Sequence, residues 1–392
     1  MKNIPNSEEY SGPHFLLEHL RLEPGDIILE KGYEWHSEKI CKNTGSRYSH
    51  VMLCVGGTIM EATHGGGVFS RIPNRSTVRD FRDFKVMRLA KHPGQEAIDV
   101  LCNHARYLVG SKYSISAALR VKGPDIFRQF KENGRKQFCS RMVAQCFNRA
   151  GLSLVADANF CSPGDIERSE LLTEVPGMVR QATADEVAFA HENIPHLTHI
   201  QSSVKFVEMA LEIFQSYGIK SVGTDEGDIV ITTLSDITTA VIENGDVPGL
   251  DEQMTNAIHE SGYLDYIEAD RERNPYRYAP VPFKLHIEYM ACGSIVRLVD
   301  LLQQELKRET DLIDSRASHY LSLKDNLSSG LRFAEAEFSI PRGLLKAILD
   351  RTMVLEGYTA LLKDIPEIRN INQKCNIILD RIKAQMPELY GI

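Results

Sequence analysis

The sequence predicts an α+β protein, in which a domain of strands and helices is followed by an α-helical domain. Two observations predict this class. Before about residue 190, short apolar runs alternate with glycine-rich turns, and after it most apolar residues recur at helical spacing. The 392 residues are also too many for one ordinary core. We therefore expect domains at 15–185 and 200–392, the second with a regulatory, partner-binding or oligomerisation role.

The period of the apolar residues places the elements of the first domain. Strands are predicted where short apolar runs are bounded by turns, at 25–29, 49–55, 57–63 and 84–90. Helices are predicted where apolar residues repeat every three or four positions, at 94–110 and 139–151. Gly110 and Gly151 would end these two helices.

The second domain is predicted to be mostly helical. Helical spacing occurs at 202–218, 234–244, 250–262, 286–309, 342–364 and 372–386. The segment 271–283 is rich in proline and tyrosine, and it predicts an ordered loop or a docking segment between these helices.

Composition narrows the functional classes. The formal net charge is -8 and no basic run with interleaved aromatic residues occurs, so nucleic-acid binding is not expected. No apolar run reaches the about 18 residues of a transmembrane helix, and the start of the chain lacks the apolar core of a secretion signal. The eight cysteines include no CxxC pair and are typical of free thiols. We expect a cytoplasmic protein, and export by a specialised secretion system stays open.

A tight turn is predicted at Gly56-Gly57, between two of the strands. A two-residue Gly-Gly loop is a strong signal for a β-hairpin. If the turn has this length, Leu53 lies opposite Met60, and the pairing of every other residue in the hairpin follows from that register.

The same register brings a histidine and a carboxylate together. His50 and Glu61 would share one face of the sheet as diagonal neighbours, with backbones about 7–8 Å apart. A carboxylate that accepts an imidazole N–H fixes the tautomer and stabilises the imidazolium. The alternative stays open that His50 is a buried core histidine and Glu61 a solvated strand residue.

Cys139 lies in the first turn of the predicted helix 139–151. The partial positive charge and free N–H groups of a helix N-terminus lower the pKa of a thiol and favour the thiolate. The same N–H groups could form an oxyanion hole. Alternatively Cys139 is a buried structural residue, since it shares a helix face with Val143 and Cys146.

The order of these segments resembles a known family. GDIIL, SHV, MEAT with GGGV, LVGSKYS, FCSRMVAQCFNRAG and SPGDIERS follow one another as in the circularly permuted NlpC/P60 papain-like cysteine hydrolases, close to their YiiX/YebB-like group. In that branch the histidine and the third polar residue precede the cysteine, which begins a helix. The resemblance covers roughly residues 20–175 and implies a permuted papain-like fold for the first domain.

The resemblance also implies roles for individual residues. Cys139 matches the nucleophile, His50 the base, and Glu61 the polar residue that orients the base. The expected substrate-binding residues are Tyr113, Ser140, Arg141 and Ser49. Arg141 stands where the family often has an acidic residue, and this difference bears on substrate preference.

The implied activity is that of a thiol hydrolase that cleaves a peptide or isopeptide amide bond through a thioester intermediate. Two alternatives stay open: a thiol acyltransferase or lipid hydrolase with the same triad, and a catalytically inactive interaction protein. The expected substrate is peptide-like or a lipid amide, and the helical domain could bind a protein partner or form a homodimer. No cofactor is expected. No metal is expected either, because His191, His196 and His199 lack a nearby cysteine and are interpreted as part of a linker.

Overall fold

A computed structural model describes residues 10–63, 67–111, 137–192, 195–223 and 227–390. The chain is mixed α/β, with a β-sheet and a helical C-terminal region. It divides into two compact units. The first comprises Met1–Val207 with Ile229–Ile237, and the second comprises Glu208–Asp228 with Thr238–Ile392. The domain limits expected from the sequence, 15–185 and 200–392, stay predictions.

The strands are short and most of them lie in the first half of the chain. In chain order they are β1 (Phe15–Leu17), β2 (Ile27–Glu30), β3 (His50–Cys54), β4 (Ile59–Thr63), β5 (Gly67–Arg71), β6 (Phe84–Leu89), β7 (Leu172–Glu174), β8 (Val179–Gln181), β9 (Ser221–Val222) and β10 (Ile229–Val230). Within the described residues, six of them form one antiparallel sheet in the order β5-β4-β3-β2-β6-β7, and β1 pairs with β8.

The first half of the chain also contains helices, which come between and after these strands. They are α1 (Trp35–Thr44), α2 (Gln95–Tyr107), α3 (Cys139–Arg149), α4 (Pro163–Glu167) and α5 (Ala184–His191), followed by the long α6 (Pro195–Tyr217). Each of the two predicted helices ends as expected near a glycine with positive φ, which is 90° at Gly110 and 77° at Gly151.

Both faces of the six-stranded sheet are buried, so its central strands are apolar on both sides. One face packs against α2 and α3 in a core that includes Leu29, Val51 and Leu53. The opposite face carries a second, smaller core that includes Ile28 and Met52. Since side chains alternate along a strand, His50 lies on the same face as Met52 and away from the main helical core.

The hairpin between β3 and β4 has the predicted turn and register. Gly56 and Gly57 have φ values of 89° and 65°, and a two-residue type I′ turn requires positive φ at both positions. Leu53 is paired with Met60. A side chain at either glycine would be strained, which explains why this turn needs the Gly-Gly pair.

The second unit is helical. Its helices are α7 (Leu234–Glu243), which begins in the first unit, α8 (Leu250–Glu260), α9 (Tyr266–Arg273), α10 (Pro280–Ala291), α11 (Ile295–Asn326), α12 (Arg332–Ala360) and α13 (Pro366–Gln385). The apolar faces of α10, α11, α12 and α13 meet in one core that includes Leu302, Leu345, Leu349, Ile368 and Cys375. No helix in the described ranges is both long and apolar enough to cross a membrane.

The predicted helix 286–309 is wrong as a single element. The chain instead breaks at Cys292 and Gly293, whose φ values are 50° and 75°. Ser294 then caps α11, because its hydroxyl accepts a hydrogen bond from the Arg297 N–H at 3.4 Å. The apolar periodicity continues through this break, so periodicity alone did not reveal it.

The loop predicted at 271–283 is also wrong. α9 continues to Arg273, a 3-10 turn covers Pro275–Tyr278, and Pro280 opens α10. Proline is well tolerated in the first turn of a helix because its missing N–H has no intrahelical partner there. The prolines of this segment therefore mark helix starts. Similarly α12 begins at Arg332, well before the predicted residue 342, and includes Pro341.

Candidate functional site

The β3–β4 ladder opens at one end, and the opening defines the candidate site. Pairing between the two strands covers Leu53–Met60 and Cys54–Ile59. Beyond Leu53, β3 stays paired with β2 and β4 stays paired with β5. From Met52 toward His50, the described residues of β3 are therefore no longer paired with β4.

The opening leaves a strand N–H directed at a cysteine. The Val55 N–H bonds to the Thr58 carbonyl of β4, and N–H groups on alternate residues of a strand point to the same side. The Val51 N–H therefore also points toward β4, where the ladder has ended. It is near the sulfur of Cys139 instead and lowers the pKa of that thiol.

Cys139 is the first residue of α3, and α3 packs against β3 and β4. The Ser140 N–H, in the first turn of the helix, also lowers the pKa of the Cys139 thiol. The sulfur is thus near backbone donors of a helix end and of an interrupted strand. Both stabilise a negative charge on sulfur more than a neutral thiol.

His50 connects the thiol to a carboxylate. Its Nε2 lies 2.9 Å from Oε2 of Glu61, and Cys139 is the other group whose hydrogen bonding and charge raise the pKa of the ring. The predicted register would make Glu61 the diagonal neighbour of His50; the observed pairing ends at Leu53–Met60, and the two side chains still meet. The His50 side chain is 22% exposed and that of Glu61 10%. Of these two side chains, solvent therefore reaches the imidazole more.

The pKa shifts of the thiol and the imidazole are opposite in direction. Burial raises the pKa of Cys139, but the hydrogen bond and charge of His50 and the two backbone N–H groups outweigh it and lower the pKa below its ordinary value. Burial lowers the pKa of His50, yet the hydrogen bonds and charges of Cys139 and Glu61 raise it above its ordinary value. The pair therefore favours thiolate and imidazolium.

Other buried thiols behave in the opposite way. Burial raises the pKa of Cys102 to about 11 and that of Cys161 and Cys375 to about 12. None of the eight cysteines, all within the described residues, forms a disulfide. A lowered pKa at Cys139 thus reflects its particular neighbours, because burial by itself works against it.

Two of the expected substrate-binding residues use their hydroxyl groups within the protein. The Ser140 hydroxyl donates to the Cys161 carbonyl at 2.7 Å. The Ser49 hydroxyl accepts from the Gly32 N–H at 2.9 Å. Both serines are buried. These two hydrogen bonds hold the backbone next to Cys139 and next to His50.

The remaining expected substrate-binding residues are Arg141 and Tyr113. Arg141 is buried, and its Nη2 donates to Oδ1 of Asn159 at 3.4 Å. Tyr113 lies outside the described residues. After α3 the chain reaches Ser162, which caps α4 in a reciprocal capping box with Asp165; this is the Ser-Pro-Asp segment singled out in the sequence.

Sequence reasoning missed Arg71 and Glu30. Arg71 is at the end of β5, a strand that was not predicted, and its Nε lies 3.3 Å from Oε1 of Glu61. Glu30, on β2, is paired across the sheet with His50. No local motif marks either residue. The signal that could have found them is the shared face of four adjacent strands, which requires the order of the strands in the sheet.

Among the described residues no three His, Cys, Asp or Glu side chains are grouped as metal ligands would be. His191, one of the three spaced histidines, places its Nε2 3.0 Å from the Thr77 hydroxyl and its ring edge-on to His14.

No protein-family model and no curated protein matches the chain. Among solved structures, it is similar to the crystal structure of the metalloprotein YiiX from Escherichia coli O157:H7, at 19% sequence identity. The match covers 39% of this chain and 96% of that chain, with a TM-score of 0.31. A likeness at this TM-score assigns neither a fold family nor a ligand.

Proposed function

We propose that the first unit is a circularly permuted papain-like thiol hydrolase that cleaves amide bonds, with Cys139 as nucleophile, His50 as base and Glu61 as the group that orients the base. The observation that carries the proposal is the grouping of these three side chains at the start of α3, where Oε2 of Glu61 lies 2.9 Å from Nε2 of His50 and His50 lowers the pKa of the Cys139 thiol. A nucleophile, a base in contact with it and an orienting group in contact with the base are the minimal parts of such a site. The family resemblance of the sequence motifs supports the same roles.

In the first half of the reaction the Cys139 thiolate attacks the carbonyl carbon of the amide. A carbon–sulfur bond forms, and the negative charge on the carbonyl oxygen is stabilised by N–H groups of the first turn of α3. When the intermediate collapses, the carbon–nitrogen bond breaks and the His50 imidazolium gives its proton to the leaving amine. The product is an acyl thioester on Cys139, with neutral His50 still bonded to Glu61.

In the second half neutral His50 takes a proton from water, and the resulting hydroxide attacks the thioester carbonyl. The carbon–sulfur bond breaks, the carboxylic acid leaves, and the thiolate–imidazolium pair is restored. Glu61 keeps the ring in one orientation throughout, because its Oε2 accepts from Nε2 and leaves Nδ1 toward the sulfur. An amine or alcohol in place of water would make the same site an acyltransferase.

Acyl transfer to Cys139 tests the proposal directly. The protein is mixed with p-nitrophenyl acetate, nitrophenolate release is followed by absorbance, and the acetylated cysteine is mapped by mass spectrometry. We expect a near-stoichiometric burst and an acetyl thioester on Cys139. Cys139→Ala should abolish both. Cys146→Ala is the matched control, since Cys146 is a buried thiol in the same helix, and this variant should keep the burst.

The acceptor and the substrate panel then separate the related activities. Release by water indicates a hydrolase, and transfer to an added amine indicates an acyltransferase. Dipeptides, isopeptides and N-acyl lipids tell an amidase of peptides from one of lipids. If acetylation of Cys139 is no faster than that of the other cysteines and does not change in His50→Ala, the enzymatic proposal fails and a non-catalytic interaction protein becomes the better account.

A further inference from the structure

Arg71 lies between two carboxylates on the sheet face that carries His50. It is paired with Ile59 of β4, which makes Glu61 its diagonal neighbour. Its Nε lies 3.3 Å from Oε1 of Glu61, and its Nη2 lies 3.3 Å from Oε2 of Glu30. We propose that Arg71 is a positioning residue that holds the Glu61 carboxylate ionised and fixed on His50. This inference rests on the proposed function.

Both oxygens of Glu61 are engaged by different partners. Oε2 meets His50 Nε2 at 2.9 Å, and Oε1 meets the Arg71 guanidinium. The Glu61 side chain is only 10% exposed, and a carboxylate so little hydrated needs a cation to stay charged. His50 is a cation only after it has gained a proton, whereas a guanidinium is always charged. Arg71 therefore supplies a permanent partner.

Glu30 prevents the positive charge of Arg71 from cancelling the stabilisation that Glu61 gives to the His50 imidazolium. It is paired with His50 across β2 and β3, and its carboxylate also accepts from the Ser76 hydroxyl at 3.2 Å. The guanidinium is thus shared between two carboxylates, so little of its positive charge is left to oppose the imidazolium. Charge thus alternates in sign through five neighbouring groups, which are Glu30, Arg71, Glu61, His50 and the Cys139 sulfur.

A purely structural role for Arg71 makes a different prediction. Arg71 joins β5 to β4 and β2, and its Nη2 also contacts Sδ of Met52 at 2.9 Å. If it only tied the strands together, its loss would lower stability and leave the protonation of the thiol unchanged. If it positions Glu61, its loss weakens the imidazolium and moves the pH at which Cys139 becomes a thiolate.

The test measures the alkylation rate of Cys139 by iodoacetamide from pH 5 to pH 10, with each cysteine quantified by peptide mass spectrometry. We expect Arg71→Gln to move the midpoint of the Cys139 curve upward by about one pH unit, which is about a tenfold lower rate on the acid side. Arg71→Lys keeps the positive charge but lacks the planar guanidinium, and it should recover part of that shift. The melting temperature of each variant is recorded alongside.

Each outcome decides the inference. A folded Arg71→Gln whose midpoint equals that of the wild type overturns it, while the response to His50→Ala still tests the proposed function separately. If wild-type Cys139 is neither fast nor dependent on His50, the proposed function and this inference fall together. If Arg71→Gln does not fold, carboxyl NMR of the wild type decides: Glu61 should remain a carboxylate at pH 5, and a protonated Glu61 at neutral pH overturns the inference.

Discussion

Cys139 and Cys146 are seven residues apart on α3, so they lie on one face of the same helix, two turns from each other. Both are buried, with 6% and 0% of their surfaces exposed. Yet the pKa of Cys139 is lowered, whereas burial raises the pKa of Cys146 well above its ordinary value. The helix and the residue type are the same, and the pKa values of the two thiols shift in opposite directions.

The difference lies in what each sulfur faces. Both cysteines belong to the apolar core between α2, α3 and the sheet, but at Cys146 only its own backbone opposes the effect of burial on the pKa. Cys139 faces the opened end of the β3–β4 ladder, where His50 and the Val51 N–H reach it. The lowered pKa of Cys139 therefore depends on a helix start that meets the end of a strand pairing, because burial alone would raise it.

The largest effect is expected from removing each cysteine in turn. Cys139→Ala should reduce acyl transfer by about 10⁴-fold, because the nucleophile itself is lost. Cys146→Ala should leave the rate of acyl transfer within about twofold, and it should lower the free energy of unfolding by about 1–2 kcal/mol through the cavity it leaves. Burst kinetics and chemical denaturation measure the two effects. An equal loss of activity in both variants would contradict the assignment of the nucleophile to Cys139 rather than Cys146.

The next effect is the pH dependence of Cys139, which His50 controls. The folded pKa of Cys139 is lowered and that of His50 is raised, so both are charged in the window between them. Acyl transfer should fall below this window as the thiolate is protonated, and above it as the imidazolium is lost. In His50→Ala only burial and backbone donors remain, and the alkylation rate at pH 6.5 should drop by about 100-fold.

A rate for His50→Ala that matches the wild type at every pH would contradict this prediction. Cys146 provides the internal reference in the same samples, since its alkylation should stay slow at each pH until the protein unfolds.

A smaller effect is expected from Glu61→Gln. The amide can still face Nε2 of His50 but carries no charge, so it stabilises the imidazolium less than the carboxylate does. We expect about a tenfold lower rate of acyl transfer and an upward shift of the Cys139 alkylation midpoint. Glu30→Gln is a useful comparison, because the Glu30 carboxylate has ion-pair and hydrogen-bond contacts with Arg71 and Ser76.

The smallest effect on reactivity is expected from Ser140→Ala. Its hydroxyl is used on the Cys161 carbonyl, and its contact with Cys139 is through the backbone N–H. The variant should lose about 1 kcal/mol of unfolding free energy with the hydrogen bond, while alkylation of Cys139 stays within about threefold. A large loss of rate with unchanged stability would instead give the hydroxyl a role in substrate binding.

Local pattern accounted for much of the first unit. The Gly-Gly turn has the predicted register, and that register was enough to place His50 and Glu61 side by side. The start of α3 at Cys139 likewise agrees with the apolar period of 139–151. In the second unit the same period failed at Cys292 and Gly293, because a left-handed turn between two helices leaves the spacing of apolar residues unchanged.

The sequence by itself determined the hairpin, the helix that begins at a cysteine, and the change to helical structure in the second half of the chain. These depend on turn chemistry and on periods of two and 3.6 residues, which act over a few neighbours. Only the tertiary structure decided that β3 and β4 separate where Cys139 arrives, and that Arg71 of β5 and Glu30 of β2 flank Glu61. Contacts between distant segments depend on strand order and packing, which no local pattern in the chain encodes.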